Sequence, residues 1–295
     1  MKKLLLFGGG LLIAFSLLFL SCKKEKEVTP TVNNYFSVES ATLIHKNMPE
    51  PTMDEKITVA MNGTVIPGGS SIVSILSQKA AQKIFVGMKG QDGYYEVLPS
   101  TQGFAFLMMF NQDVALEEGE SGFTIQVAIE DKNGDISQVS ESTVALLPVG
   151  TGQLQVSLSF DHSVDLDLIL VEPNGNQIGY FTDGISSNGG VLDLDSNYGC
   201  VIDGINNENI TYSESAIVEP GLYQVYVDLN ENCADDKPTH FAVAVYYQGE
   251  LMTVTSGSNP YTGSFAADAP GNHAALDNIE PVIKFVIPDS GQKRK

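Results

Sequence analysis

The residues best suited to chemistry in this chain are carboxylates set in two alternating runs, Asp165-Leu166-Asp167-Leu168 and Leu192-Asp193-Leu194-Asp195. Successive side chains of a β-strand point to opposite faces, so each run places two acids on one face and two leucines on the other. Asp161 stands just before the first run and Glu208 follows the second. Two such charges 4 Å apart repel by about 4 kcal/mol at an effective dielectric of about 20. A hard divalent cation removes that repulsion, and calcium accepts six to eight oxygen ligands in flexible geometry. We therefore expect a calcium site built on Asp165, Asp167, Asp193 and Asp195, with Glu208 and Asp161 as further ligands. The alternative is that the pairs lie apart and face water. The spacing is not that of an EF-hand loop.

Nothing comparable suggests catalysis. The four histidines are His45, His162, His240 and His273, and none sits in a GxSxG or HExxH context. Paired carboxylates can hydrolyse glycosides, but the chain has no tryptophan for a sugar platform, only 11 tyrosines. No catalytic residue is expected.

The composition frames these acids. The chain has 295 residues with 36 acids and 16 bases, a formal charge of −20. Such a surface repels phosphate backbones, which excludes nucleic acid as a natural partner. Residues 151–295 hold 20 of the acids against 5 bases, so the excess lies in the second half.

Residues 1–21 carry the pattern of an export signal: Met1-Lys2-Lys3, then a 17-residue apolar run from Leu4 to Leu20. Phe19-Leu20-Ser21-Cys22 resembles the bacterial lipoprotein box, which implies that Cys22 is lipidated and begins the mature chain. Residues 22–34 are expected to be a polar tether, and the charges after Cys22 resemble export signals of surface-exposed outer-membrane lipoproteins. With Cys22 taken by lipid, Cys200 and Cys233 remain as an even pair. In an exported protein a disulfide is the leading reading, with two buried thiols as the alternative.

These residues need elements to position them, and the sequence supplies strands. From residue 35 to 149, short alternating runs are punctuated by turn signals such as Asn62-Gly63 and Gln91-Asp92-Gly93. Only Ser77–Ile84 dissents, suggesting a short helical crossover. Pro148–Gly152 forms a hinge, and residues 150–290 again show strand rhythm without a sustained 3.6-residue period. The expected fold is all-β: two tandem β-sandwiches, with residues 291–295 as a tail.

Two resemblances add to this reading. Asp131-Lys132-Asn133-Gly134-Asp135-Ile136-Ser137 resembles the final hairpin of bacterial immunoglobulin-like domains. Phe160–Leu168, Glu172-Pro173-Asn174-Gly175, Gly189–Asp195, Glu208-Asn209-Ile210 and Gly221–Val227 resemble, in order, the YfaP-like family of uncharacterised secreted β-sandwich domains. That family often has Gly-Pro where Asn206-Asn207 stand. The resemblance implies a β-sandwich with an acidic cluster and no known reaction. The expected function is a non-enzymatic, surface-exposed envelope lipoprotein that presents an acidic domain for binding or adhesion. A glycan-binding lipoprotein feeding an outer-membrane transporter and a fimbrial or adhesive subunit are the alternatives. Its partners would be the membrane, through lipid, and a surface glycan or protein.

Overall fold

The computed structural model describes residues 31–101, 103–116, 119–182, 184–233, 237–271 and 276–289. The expected signal segment, Cys22 and His273 lie outside them. Among the described residues no helix is long and apolar enough to cross a membrane.

The first half contains strands β1 (Phe36–Val38), β2 (Thr42–Ile44), β3 (Thr58–Ala60), β4 (Thr64–Val65), β5 (Ser70–Leu76), β6 (Ala81–Met88), β7 (Tyr94–Val97), β8 (Phe106–Phe110), β9 (Gly122–Asp131) and β10 (Ser140–Leu146). They form two facing sheets, β1-β8-β5-β3 and β2-β7-β6-β9-β10-β4. The chain crosses from one sheet to the other between β3 and β4, and β4 then pairs in parallel with β10. This is an immunoglobulin-like strand order, with β1 and β2 as added outer strands. Alternation drives it: Phe123, Ile125, Val127 and Ile129 of β9 all point into the core. The turn at Asp131 forms because its Oδ1 accepts from the amides of Asn133 and Asp135, while Gly134 takes a φ of +84°.

Ser77–Ile84 is not helical. Residues from Ala81 onward belong to β6, paired with β9, and Ser77 Oγ and the Gln78 amide are held by Glu55. Tertiary pairing here overrides the local helix preference. Val32 lies within the stretch expected as tether, yet it is fully buried in the first core and its amide donates to Asp92 O at 3.0 Å.

The second half contains β11 (Leu154–Phe160), β12 (Asp165–Val171), β13 (Gln177–Ile178), β14 (Gly190–Leu194), β15 (Asn207–Tyr212), β16 (Gly221–Glu231), β17 (Thr239–Tyr247), β18 (Glu250–Leu251), β19 (Tyr261–Phe265) and β20 (Ile283–Ile287). One sheet runs β14-β15-β11-β17-β18, with β19 also on β17, and faces β13-β12-β16-β20. Leu154, Val156, Leu158 and Phe160 enter the core from one sheet; Leu166, Leu168, Val225 and Val227 enter from the other. Tyr223 stacks on Phe285 with ring centres 5.1 Å apart.

The two sandwiches pack face to face. Ile72, Phe104, Leu107 and Met109 of the first cover Ala242 and Ala244 of β17. Every residue of β11 is buried, because its polar face is also covered. Gln155 Nε2 donates to Pro67 O at 2.8 Å, Ser157 Oγ to Gly68 O at 2.8 Å, and the Ser70 amide to Ser159 Oγ at 3.1 Å. Gly68 permits this approach: its φ is +68°, and a Cβ there would lie 2.1 Å from Gln155 Oε1. The connection between the halves is pinned, since Asn209 Nδ2 donates to Gly150 O at 2.8 Å.

Candidate metal centre

Asp167, Asp195 and Glu208 meet at one edge of the second sandwich, where β12 lies beside β15. One carboxylate oxygen from each falls within 4.8 Å of the others. Asp167 and Glu208 are each only 1% exposed, and Asp195 is half-buried. Glu208 projects from β15 toward the other sheet, and the Leu168 amide donates to its Oε2 at 2.6 Å. Its Oε1, Asp167 Oδ2 and Asp195 Oδ1 are enclosed and accept no hydrogen bond. Among the described residues no lysine, arginine or histidine forms an ion pair with these three acids.

Two β-bulges flank this edge and re-aim the side chains around it. On β16, Asp165 pairs with Glu231 and Leu166 with Leu229, leaving Asn230 as the extra residue. Asn230 Nδ2 donates to Asp165 Oδ2 at 2.8 Å, and the Gly199 amide donates to the same oxygen at 2.9 Å. On β14, Leu192 pairs with Ile210 and Leu194 with Asn209, leaving Asp193 as the extra residue.

Carboxylates are concentrated here, and burial and mutual repulsion favour their protonated forms. Burial first, then the carboxylates of Asp165, Asp195 and Asp228, push Asp167 up to about 8. Burial, joined by Asp167 and Asp195, raises Glu208 well above the carboxylate range, against the opposing bond from Leu168. Asp195 is raised by burial and by Asp165, with its contact to Glu208 opposing the rise. Asp228 stands directly across from Asp167 in the β12–β16 pair and is also buried. Tyr180 lies close to these acids, with Tyr198 6.5 Å from it ring to ring. The Cys200–Cys233 disulfide closes the adjoining loop across 33 residues.

The sequence-derived ligands therefore separate into three groups. Asp167, Asp195 and Glu208 converge. Asp165 is beside them on the same strand face, held by Gly199 and Asn230. Asp193 is turned away by its bulge: its Oδ2 accepts from the Gly150 amide and its Oδ1 from Asn209 Nδ2, both at 2.7 Å. Strict alternation had paired it with Asp195, and a bulge cannot be seen in that pattern.

Asp161 also lies apart. Its Oδ1 is 2.8 Å from His162 Nδ1 and its Oδ2 is 2.8 Å from His240 Nδ1. Burial works to raise it, but the bonds from His162 and His240 prevail and hold it below the usual carboxylate range. His162 Nε2 reaches Thr239 Oγ1 at 3.2 Å, which completes a hydroxyl–imidazole–carboxylate series. Thr239 is 1% exposed, so that hydroxyl is closed to solvent in this structure. The series ties β17 to the turn after β11. Sequence reasoning also overlooked β15 as a strand and Asp228 as a neighbour of the cluster.

An all-oxygen set without imidazole or thiolate suits a hard cation. Oxygens within 4.8 Å of one another can share one calcium ion at about 2.3–2.6 Å per bond. The enclosed oxygens that accept no hydrogen bond are the observation that fits such an ion.

No protein-family model matches the chain, and no curated protein matches it. Among solved structures it is similar to the fibronectin(III)-like modules of CbhA from Clostridium thermocellum, at 9% identity over 81% of this chain and 98% of that one, with a TM-score of 0.22. It is similar to the D00-D0 domain of intimin at 13% identity over 71% of this chain and 100% of that one, with a TM-score of 0.17. A marsupial T cell receptor shows 11% identity over 76% of this chain and 100% of that one, with a TM-score of 0.21. The strand order described above, not these superpositions, carries the fold: two tandem β-sandwiches, the first immunoglobulin-like.

Proposed function

We propose that the chain is a non-enzymatic binding module of the bacterial cell envelope whose second sandwich is completed by a bound calcium ion. One observation carries the calcium reading: the convergence of Asp167, Asp195 and Glu208, with an enclosed oxygen on each that accepts no hydrogen bond. The envelope placement rests on the lipoprotein-like box at Cys22 and on the acidic, disulfide-containing composition. The ion's work in this reading is structural, fixing β12, β15 and the residues after β14 against one another. Calcium titration calorimetry on the purified protein tests it. Saturable binding that is lost in Asp167→Asn with Glu208→Gln supports the centre; no heat beyond dilution in the wild type removes it.

A second reading concerns the ligand. Tyr180, Phe181 and Tyr198 gather beside the centre, with Tyr180 and Phe181 ring centres 5.1 Å apart and Tyr198 59% exposed. Aromatic faces with nearby carboxylates favour neutral sugars over anionic polymers. A glycan array probed with and without calcium separates this from a protein-binding or fimbrial role.

A further inference from the structure

Two segments of chain hold the same oxygen of Asp165, and the Cys200–Cys233 disulfide joins those two segments. The Gly199 amide, one residue before Cys200, donates to Asp165 Oδ2 at 2.9 Å. Asn230, three residues before Cys233, donates to the same oxygen at 2.8 Å. Asp165 in turn lies on the strand face that carries Asp167, and its charge acts on Asp167, Asp195 and Glu208 alike. The loop that leaves β14 begins with Asp195 and reaches Cys200 five residues later.

The backbone of this loop needs to be held. Asn197, Cys200 and Asn206 have φ values of +61°, +59° and +53°, and Cys233 has +47°. Asparagine tolerates the left-handed conformation, but cysteine keeps it only where its surroundings impose it. Asn197 supplies part of the hold through Nδ2 bonds of 3.0 Å to Val164 O and Asn206 Oδ1. The disulfide supplies the covalent part.

We propose that this disulfide sets the cation affinity of the centre, so that its reduction weakens binding; the proposal rests on the calcium reading above. A dithiol is the reductant. It gives two electrons and two protons to the Cys200–Cys233 bond and closes into its own cyclic disulfide, leaving two cysteine thiols. Both cysteines are half-buried rather than enclosed in the core. With the bond open, the loop is free to carry Gly199 away from Asp165 and Asp195 away from Glu208. The centre would then bind calcium tightly in an oxidising compartment and poorly in a reducing one.

The test is calcium titration calorimetry on the full protein in three forms: oxidised, reduced with dithiothreitol, and carrying Cys200→Ser with Cys233→Ser. Far-UV circular dichroism follows the sandwiches in parallel. The expected result is an affinity at least tenfold weaker in the reduced and double-serine forms with the β-sheet signal retained. Asn230→Ala, with the disulfide intact, should weaken binding several-fold, and it keeps the proposal testable where the double-serine variant does not fold. Equal affinities for the oxidised and reduced protein overturn the proposal and leave the calcium centre standing. Absence of binding by the oxidised protein overturns both.

Discussion

The main-chain amide of Leu168 donates to the carboxylate of Glu208 at 2.6 Å, joining the two sheets of the second sandwich at its acidic edge. The donor belongs to a core-facing residue on β12, and the acceptor projects inward from β15 beside Ile210. One Glu208 oxygen is thus spent on a strand edge, while the other is aimed at Asp167 and Asp195. That division makes Glu208 a staple between the sheets and, in the calcium reading proposed above, a ligand as well.

Removing the charge at this point should therefore separate the two roles. Asp167→Asn with Glu208→Gln retains the packing and the amide acceptor while relieving repulsion. The calcium-free variant should be no less stable than the calcium-free wild type. The wild type should gain about 2.7 kcal/mol at a hundredfold excess of calcium over its Kd, which for a protein of this size raises melting by several degrees. The variant should gain nothing. Paired melting curves with calcium and with chelator decide it; equal gains in both proteins would place the ion elsewhere.

Asp193 should behave differently from its sequence twin Asp195. Its carboxylate holds Gly150 and Asn209, so Asp193→Ala should cost about 1–2 kcal/mol of stability through the lost charge-assisted bonds. Calcium affinity should stay within twofold of wild type. Asp195→Asn should instead weaken calcium binding by tenfold or more. Denaturant unfolding and calorimetry on both variants check the contrast, and a large affinity loss in Asp193→Ala would return that residue to the ligand set.

These differences show what the sequence could reveal. The all-β character was legible in runs such as Phe123–Ile129 and Leu154–Phe160, because a period of two has one structural meaning. The acidic pairs were legible as charge that needs an explanation. Their division was not, because the bulges at Asp193 and Asn230 shift the face of a side chain without changing the residue pattern. The burial of Gln155, Ser157 and Ser159 was hidden for another reason: a polar row covered by a neighbouring domain has the same composition as one facing water.

The packed faces of the two sandwiches should make unfolding cooperative. Ala244 of β17 is fully buried in an apolar cluster with Ile72, Leu107 and Met109. Wild type should melt in a single transition. Ala244→Glu should split it into two, each near half the total enthalpy, because the carboxylate cannot be buried unpaired against those residues. Differential scanning calorimetry reads this directly. Two transitions already present in the wild type would show that the interface contributes little to stability.

The last prediction concerns pH in the absence of calcium. Asp167 is raised from an ordinary value of 3.8 to about 8 in the folded protein. Between those limits the folded state keeps a proton that the unfolded state has released. Stability changes with pH in proportion to protons bound unfolded minus folded, which is negative across this window. The contribution is therefore fully present below the unfolded value and is lost as pH rises toward about 8. Asp195 and Glu208 are raised too and act in the same direction. Asp161 is depressed, so its contribution is lost only as pH falls through its lowered value. In the calcium reading the ion displaces the proton from Asp167, which is then ionised in both states, so at saturating calcium its fall in stability with pH should vanish. Melting curves at pH 5, 6.5 and 8 should thus fall with pH in calcium-free buffer and hold with calcium. Asp167→Asn should flatten the calcium-free trend. A calcium-free melting temperature that climbs over this range in the wild type would show that Asp167 is ionised in the folded protein without a cation.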